Sequence, residues 1–400
     1  MAHHEILIVG GGNAGISVAA QLHQKRPALD IGIVDPSENH YYQPGWTLVG
    51  GGVFSAESTR RSQADVIPKG VAWKKACVSA FIPETNRVIL DTSESIEYDS
   101  LVVCPGVLLD WHKISGAREA LGTSGVCSNY EYALASKTWE FLKAFRGGVD
   151  LFTQPSTPVK CAGAPQKIMY LADETFRKNG VREKTEIYFT TGGPRLFAIA
   201  EYEKTLLEVV KRKKIHLAVQ HDLVEIRPVS REAVFDVTTP EGVSQKTFHY
   251  DFIHITPPMS PPEALKTSTL AHKEGAFKGW MNVDKGTLQS PLFPNVFGLG
   301  DCVGIPTSKT GAAIRKQAPT VIHNLLATLD KRSDRKIYGG YTACPLVTGY
   351  GKLVMAEFDY TNKPTPTFPL DQTKERWSMW LVKKYILPFL YWHRILPGKA

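Results

Sequence analysis

The stretch Glu5 to Gly15, Glu-Ile-Leu-Ile-Val-Gly-Gly-Gly-Asn-Ala-Gly, constrains this chain more than any other. Four apolar β-formers, Ile6 to Val9, run straight into Gly10, Gly12 and Gly15, and Ile16 to Leu22 then carries helical periodicity. A strand, a tight turn and a helix start in that order make the opening of a dinucleotide-binding unit. Gly10 permits the turn, and Gly12 lets a pyrophosphate approach the backbone where Asn13 and Ala14 begin the helix. Gly15 lets helix close on strand, with the phosphate charge at the helix N-terminus. The next strand, Ile31 to Val34, ends in Asp35, about 20 residues past the glycines, where an acid can hold a ribose hydroxyl.

At 400 residues the chain exceeds one ordinary core, so two domains and a smaller element are expected. The formal net charge of +8 favours anionic partners, phospholipid surfaces or small anions among them, without choosing one. The first strand starts so early that no leader peptide is expected ahead of it. The six cysteines, at 77, 104, 127, 161, 302 and 344, show neither the density of a disulfide scaffold nor paired zinc spacing, so no metal is expected. No apolar run approaches the roughly 18 residues of a membrane span.

Further along, aromatics and glycines (His40-Tyr41-Tyr42-Gln43-Pro44, Gly50 to Gly52) read as a loop able to cover a bound cofactor, and a polar helix is expected from there to about Lys69. Alternating segments near Ala76 to Ile82, Arg87 to Leu90 and Ser95 to Tyr98 form a meander. Tyr98-Asp99 then leads a buried strand into Cys104-Pro105-Gly106. This block has a counterpart in Tyr250-Asp251 to Pro257, again after a meander, with strands at Glu186 to Thr190 and Ile215 to Val219 around a helix from Ile199 to Lys213. The fold class is therefore α/β, with two Rossmann-like domains of similar plan, each with a β-meander. The second turn, Gly192-Gly193-Pro194-Arg195-Leu196-Phe197, puts Phe197 where a glycine should let helix and strand close together, so the second domain is expected to keep the fold without binding NAD(P)H.

Gly10 to Gly15, the Tyr98 to Gly106 block and Val296 to Asp301, in this order, resemble the two-dinucleotide-domain flavoproteins. The resemblance implies FAD, with Asp301 on its ribityl chain and the helix opening at Lys309-Thr310-Gly311-Ala312 aimed at the flavin pyrimidine edge. It also implies backbone contact from Val78 to adenine and flavin contacts from Gln43, Gly106 and Lys167. Pro158 to Lys167 around Cys161, Tyr341 to Tyr350 around Cys344, and the aromatic, basic tail narrow this further. With His40 to Pro44 they closely resemble sulfide:quinone oxidoreductases, in particular the branch that includes the animal mitochondrial enzyme.

Cys161 precedes a helix start at Ala164-Pro165 and is flanked by Lys160 and Lys167, so dipole and cations should lower its pKa. By resemblance, Cys161 and Cys344 form a redox disulfide beside the flavin. Hydrosulfide opens it, Cys344 takes the sulfane sulfur, Cys161 attacks the flavin, and the sulfur leaves to sulfite, sulfide or a thiol such as glutathione or CoA. Sequence alone equally supports the reverse assignment of the two cysteines. Lys167 and Lys309 would stabilise anionic intermediates. Cys77, Cys104 and Cys302 read as structural thiols, and Cys127 as dispensable.

In the tail, Trp377, Trp380, Leu381 and Tyr385 share one helical face, Pro388 breaks or kinks the helix, and Phe389, Leu390 and Trp392 resume it. A basic, aromatic helix pair too short to span belongs in the interface, where it would reach anionic headgroups and a ubiquinone or menaquinone. A terminal helix packed on the body, or a homodimer contact, is the alternative. The expected organisation is an FAD domain at 1–115 and 285–335, a degenerate second domain at 116–284, and a C-terminal region at 336–400. The expected location is peripheral on a membrane, bacterial cytoplasmic or, for a processed chain, mitochondrial inner. The competing readings are an NADH:quinone oxidoreductase of the same fold and a basic flavoprotein that acts as a DNA- or lipid-binding module; no nucleic-acid partner is expected from the leading one.

Overall fold

The computed structural model describes residues 2–399. Its first sheet is built on the opening strand, Ala2–Val9, which pairs in parallel with Ile31–Val34 on one side and Ser95–Val103 on the other. Ile6, Leu7, Ile8, Leu101 and Val102 are wholly buried, as expected for parallel strands covered on both faces. The meander Val78–Ile82 and Arg87–Leu90 continues from Ser95–Val103, and Val296–Gly298 pairs with that same strand. The chain thus returns to the first sheet late, bringing Asp301 and the helix Gly311–Leu329 against the first helix, Asn13–Lys25.

A second sheet runs Val126–Cys127, Phe252–His254, Gly148–Gln154, Thr185–Thr191, Ile215–Val219, all parallel. Beside it lies an antiparallel sheet of His221–Arg227, Glu232–Thr239 and Gly242–His249, the second meander. Helices Ala164–Lys178 and Ala200–Arg212 carry the apolar faces expected of them: Ile168, Tyr170, Phe176, Tyr202 and Leu206 are buried against Phe152 and Phe189. A C-terminal hairpin, Thr342–Gly349 with Lys352–Phe358, packs its Cys344 and Leu346 into that same core.

Two expectations need correction. The stretch before Lys69 is not one polar helix: it holds only the short helical turns Glu57–Thr59 and Gln63–Val66 with the strand Arg60–Ser62 between them, and the helix Trp46–Gly50 precedes it, held by buried Trp46, Leu48 and Val49 in spite of the glycines around it. The tail is not a broken pair. From Trp377 to Ile395 it runs as one helical course in which α-turns alternate with wide i→i+5 turns at Val382–Ile386 and Tyr391–Ile395. Pro388 lies within this course, just after the wide turn Val382–Ile386.

Candidate functional site

The glycine turn has the geometry its spacing predicts. Gly10 has φ +109°, and a Cβ there would fall 2.3 Å from the Cys104 carbonyl oxygen. A Cβ at Gly15 would meet the Gly10 oxygen at 1.8 Å, so helix and strand touch only because residue 15 is glycine. Space stays open over Gly12 and Gly106, where an added carbon would meet nothing within 4 Å. The helix that starts at Asn13 has no acidic residue and no side-chain cap in its first turn, which leaves its N–H groups free for an anion. Asp35 accepts from Gly11 N at 2.6 Å and Ser37 N at 2.8 Å, and burial raises its pKa. Asn13 Nδ2 donates to Gly311 O at 3.3 Å, which ties together the N-termini of the two helices. Gly300, Asp301, Lys309, Thr310 and Gln317 line one small cavity. These groups, an open cradle with anion donors at one end and a carboxylate at the other, fit an extended dinucleotide.

Cys161 and Cys344, 183 residues apart, meet beside this cradle with their sulfurs 3.8 Å apart. Cys161 lies in the turn before the helix Ala164–Lys178 at φ +86°, a strained conformation for a residue with a side chain. Cys344 comes from the hairpin, two residues after Thr342, whose hydroxyl meets that of Thr310 at 2.8 Å. That contact fixes the cysteine strand against the helix Gly311–Leu329. Lys167, buried on the first turn after Cys161, donates to its sulfur at 3.3 Å.

The charges follow from these contacts. Cys161 is held well below the ordinary thiol range, first by the hydrogen bond from Cys344 and, against its burial, by the Lys167 ammonium. The neighbouring Cys161 sulfur and burial push Cys344 up, so the pair shares one proton, with the negative charge on Cys161. Burial opposes the charge on Lys167, but the two sulfurs outweigh it and keep the ammonium protonated. Lys160 donates to Gln43 Oε1 at 2.8 Å, and burial brings it to about 8. Lys309 is likewise lowered by burial to about 8; its ammonium lies 3.8 Å from the Trp280 ring centroid and donates to Val303 O at 2.9 Å.

Some groups near the sulfur pair were not visible in the sequence. Lys383 of the tail is buried, donates to Pro44 O at 2.8 Å, and is brought to about 7 by burial and by the repulsion of Lys167. The backbone N–H of Gly163 faces the Cys344 sulfur. The Trp46 indole nitrogen is buried without a partner. Basic residues near an aromatic tail signalled a surface, and nothing local marked Lys383 as pointing inward. Outside the site, a groove of about 800 Å³ lined by Leu108, Trp111, His112, Arg118, Glu131 and Lys160 ends at the residue next to Cys161.

The remaining thiols lie elsewhere. Cys104 and Cys302 are buried against backbone carbonyls, burial raises Cys127 in the second sheet, and Cys77 is exposed but also raised, by burial and then Asp91. Val78 begins a meander strand and packs against the first core. The tail residues do not share one face. Trp380 is buried against Tyr350 and Leu48, Leu381 and Leu390 are half-buried, and Trp392 lies beside His40 and Tyr42, whereas Trp377 (66% exposed), Tyr385 (57%) and Phe389 (58%) point outward. The wide turns rotate successive side chains away from the positions an α-helix would give them.

Residues 4–138 match the family model described as pyridine nucleotide-disulphide oxidoreductase. The chain is 43% identical to the mitochondrial sulfide:quinone oxidoreductase of Mus musculus, over 99% of this chain and 87% of that one. It is 45% identical to the mitochondrial sulfide:quinone oxidoreductase of Dictyostelium discoideum, over 99% and 86%. The solved sulfide:quinone oxidoreductase of Aquifex aeolicus shares its fold, with a TM-score of 0.84 at 20% identity over 100% of this chain and 92% of that chain. With two free sulfurs converging from distant segments beside a dinucleotide cradle, and relatives this similar over nearly its whole length, the chain belongs to the sulfide:quinone oxidoreductase family.

Proposed function

We propose that this chain oxidises hydrogen sulfide to sulfane sulfur and passes the electrons to a membrane quinone. The observation that carries this is the 3.8 Å approach of Cys161 to Cys344 with the Lys167 ammonium on the Cys161 sulfur. When bound, FAD supplies the two-electron acceptor that links thiol chemistry to quinone. Its seat would be Gly10, Gly12, Asn13, Ala14, Gly15 and Asp35 at the nucleotide end, and Gln43, Gly106, Asp301, Lys309, Thr310, Gly311 and Ala312 at the ring end.

In the oxidised enzyme the two sulfurs are bonded to each other. Hydrosulfide attacks Cys344 Sγ, the S–S bond breaks, and its electron pair leaves on Cys161, so Cys344 holds a persulfide. The charge pattern supports this direction, because the site stabilises thiolate on Cys161 and disfavours it on Cys344. Lys167 holds the departing thiolate, and Lys383 adds positive charge while protonated. A thiol or sulfite then takes the outer sulfur, which leaves thiolates on Cys161 and Cys344; closing their bridge releases the two electrons that FAD, when bound, would accept. We assign the groove beside Lys160 as the approach for sulfide and for this acceptor.

The NADH reading finds an obstacle in the second domain. Glu203 Oε1 accepts from the N–H groups of Leu196 and Phe197 at 2.9 and 3.2 Å, and its other oxygen from Arg195 Nε at 2.9 Å. A carboxylate of the chain thus occupies the donors a nucleotide phosphate would need. On this reading residues 116–284 keep a Rossmann-like plan without a nucleotide, residues 1–115 with 285–335 hold FAD, and 336–400 bring Cys344 and a membrane-facing tail. No helix among the described residues is long and apolar enough to cross a membrane, which suits peripheral attachment through the outward aromatics.

Anaerobic stopped-flow mixing tests the proposal. Sulfide should bleach the flavin of the purified protein and NADH should not; the opposite result would overturn it.

A further inference from the structure

The inner side of the tail is bonded into the unit that opens the chain. His40, 3% exposed, places Nε2 2.6 Å from the Tyr391 hydroxyl and Nδ1 3.3 Å from the Gly11 carbonyl oxygen. Gln63 Nε2 donates to that same oxygen at 2.8 Å, and Gly11 N donates to Asp35 at 2.6 Å. Both ends of the middle glycine of the turn are therefore fixed by side chains. A Cβ on Gly11 would fall 2.2 Å from Gln63 Nε2, so the turn has no slack in this direction.

Burial brings His40 to about 4, so the imidazole is neutral at pH 7. A neutral ring carries one N–H, and the Gly11 carbonyl can only accept. Nδ1–H must therefore donate to Gly11, which leaves Nε2 to accept from the Tyr391 hydroxyl. The run around Tyr391 is seated along the first helix as well. Ser17 Oγ lies 3.5 Å from Ile395 O, Gln24 Nε2 donates to Pro397 O, and Gly398 lies against the backbone of Gln21. Ser17, Gln21 and Gln24 are spaced to lie on one face of that helix. Ile16, Tyr42, Tyr391 and Leu396 close an apolar cluster beneath them.

We propose that Tyr391 and His40 are a positioning pair for the dinucleotide turn, so that seating of the C-terminal run sets how firmly the flavin nucleotide is held. The inference rests on the flavin reading above, but its readout is cofactor retention, independent of sulfide turnover. Because the opposite side of the same run carries Trp377, Tyr385 and Phe389, a surface that orders the run from outside should tighten cofactor binding, and a bound cofactor should tighten the surface contact in return.

The test uses full-length holoprotein and follows free FAD fluorescence after dilution. Tyr391→Phe, which removes one hydroxyl and no ring, should hold FAD roughly tenfold more weakly, the value of one buried hydrogen bond. Phe389→Ser, on the outer side, should hold FAD as the parent does. Adding Tyr391→Phe to His40→Gln should weaken retention no further, because both break one chain of contacts. Vesicles of phosphatidylcholine with phosphatidylglycerol should slow FAD release from the parent and not from Tyr391→Phe. Parent-like retention by Tyr391→Phe, additive losses in the double variant, or release indifferent to vesicles would each overturn the proposal. A preparation that never binds flavin would instead count against the functional reading.

Discussion

A carbon added at Gly163 would lie 2.5 Å from the sulfur of Cys344 and 2.4 Å from Leu346 Cδ2. The second cysteine reaches the first only because this residue of the turn has no side chain, and the Gly163 N–H then points at the sulfur it admits. Gly163→Ala should therefore force the hairpin strand outward and part the sulfurs. The expected outcome is at least a tenfold fall in the rate at which sulfide reduces the flavin, with FAD still bound. Thiol counting under denaturing conditions should find both cysteines reduced after air exposure that closes the parent's bridge. A variant that still closes the bridge at the parental rate would refute the steric account.

Lys167, 3.3 Å from the Cys161 sulfur, adds to the hydrogen bond from Cys344 in favouring the thiolate on Cys161. Removing the ammonium in Lys167→Met takes away a cation that favours the thiolate, so the Cys161 pKa must rise even though the hydrogen bond from Cys344 remains. Alkylation of the reduced protein by iodoacetamide, followed against pH at this cysteine, reports the thiolate directly. The parent should stay reactive into the acid range, and the rising limb of the variant should move up by more than one pH unit. Coincident profiles would mean that the lysine does not govern the thiol.

Lys383 gives a pH dependence of stability with a definite sign. Its pKa is about 7 in the fold against 10.5 ordinarily, so between those values the unfolded chain binds more protons than the native one. Stability from this group therefore rises with pH from 7 to about 10, and the cost of burying the cation is fully present below 7. Lys383→Met removes that cost, which is of the order of a few kcal/mol. The variant should unfold at a higher temperature than the parent at pH 6, with the gap narrowing toward pH 9. Calorimetry at the two pH values checks it, and a gap independent of pH would remove the buried cation from the account.

Much of the site was legible because its chemistry is local. The turn from Gly10 to Gly15 needs glycine for reasons of backbone and contact that a short segment states in full, and Cys161 announces itself by lysines and a helix start a few residues away. Lys383 was hidden for the opposite reason, since its place beside Lys167 depends on how the tail folds back across the loop at Pro44. The helix Trp46–Gly50 was masked by glycines that break propensity but not burial. Pro388 was read as a break because an α-helix would lose a bond there, whereas the wide turn ahead of it absorbs the missing donor.

The same tail differs by side. Its inner residues Trp380, Lys383, Tyr391 and Leu396 are buried against the body, while Trp377, Tyr385, Ile386 and Phe389 stand 49% to 66% exposed in one run that also carries Lys384, Arg394 and Lys399. Apolar rings beside cations suit the headgroup region of an anionic bilayer, and burying one such ring is worth about 1.5 to 3 kcal/mol. Trp377→Ser with Phe389→Ser should thus weaken sedimentation with anionic vesicles by tenfold or more and slow turnover with a lipid-dissolved quinone. Flavin reduction by sulfide should continue at the parental rate, because neither ring touches the sulfur pair. If the double variant sediments as the parent does, the outward side is not the membrane contact.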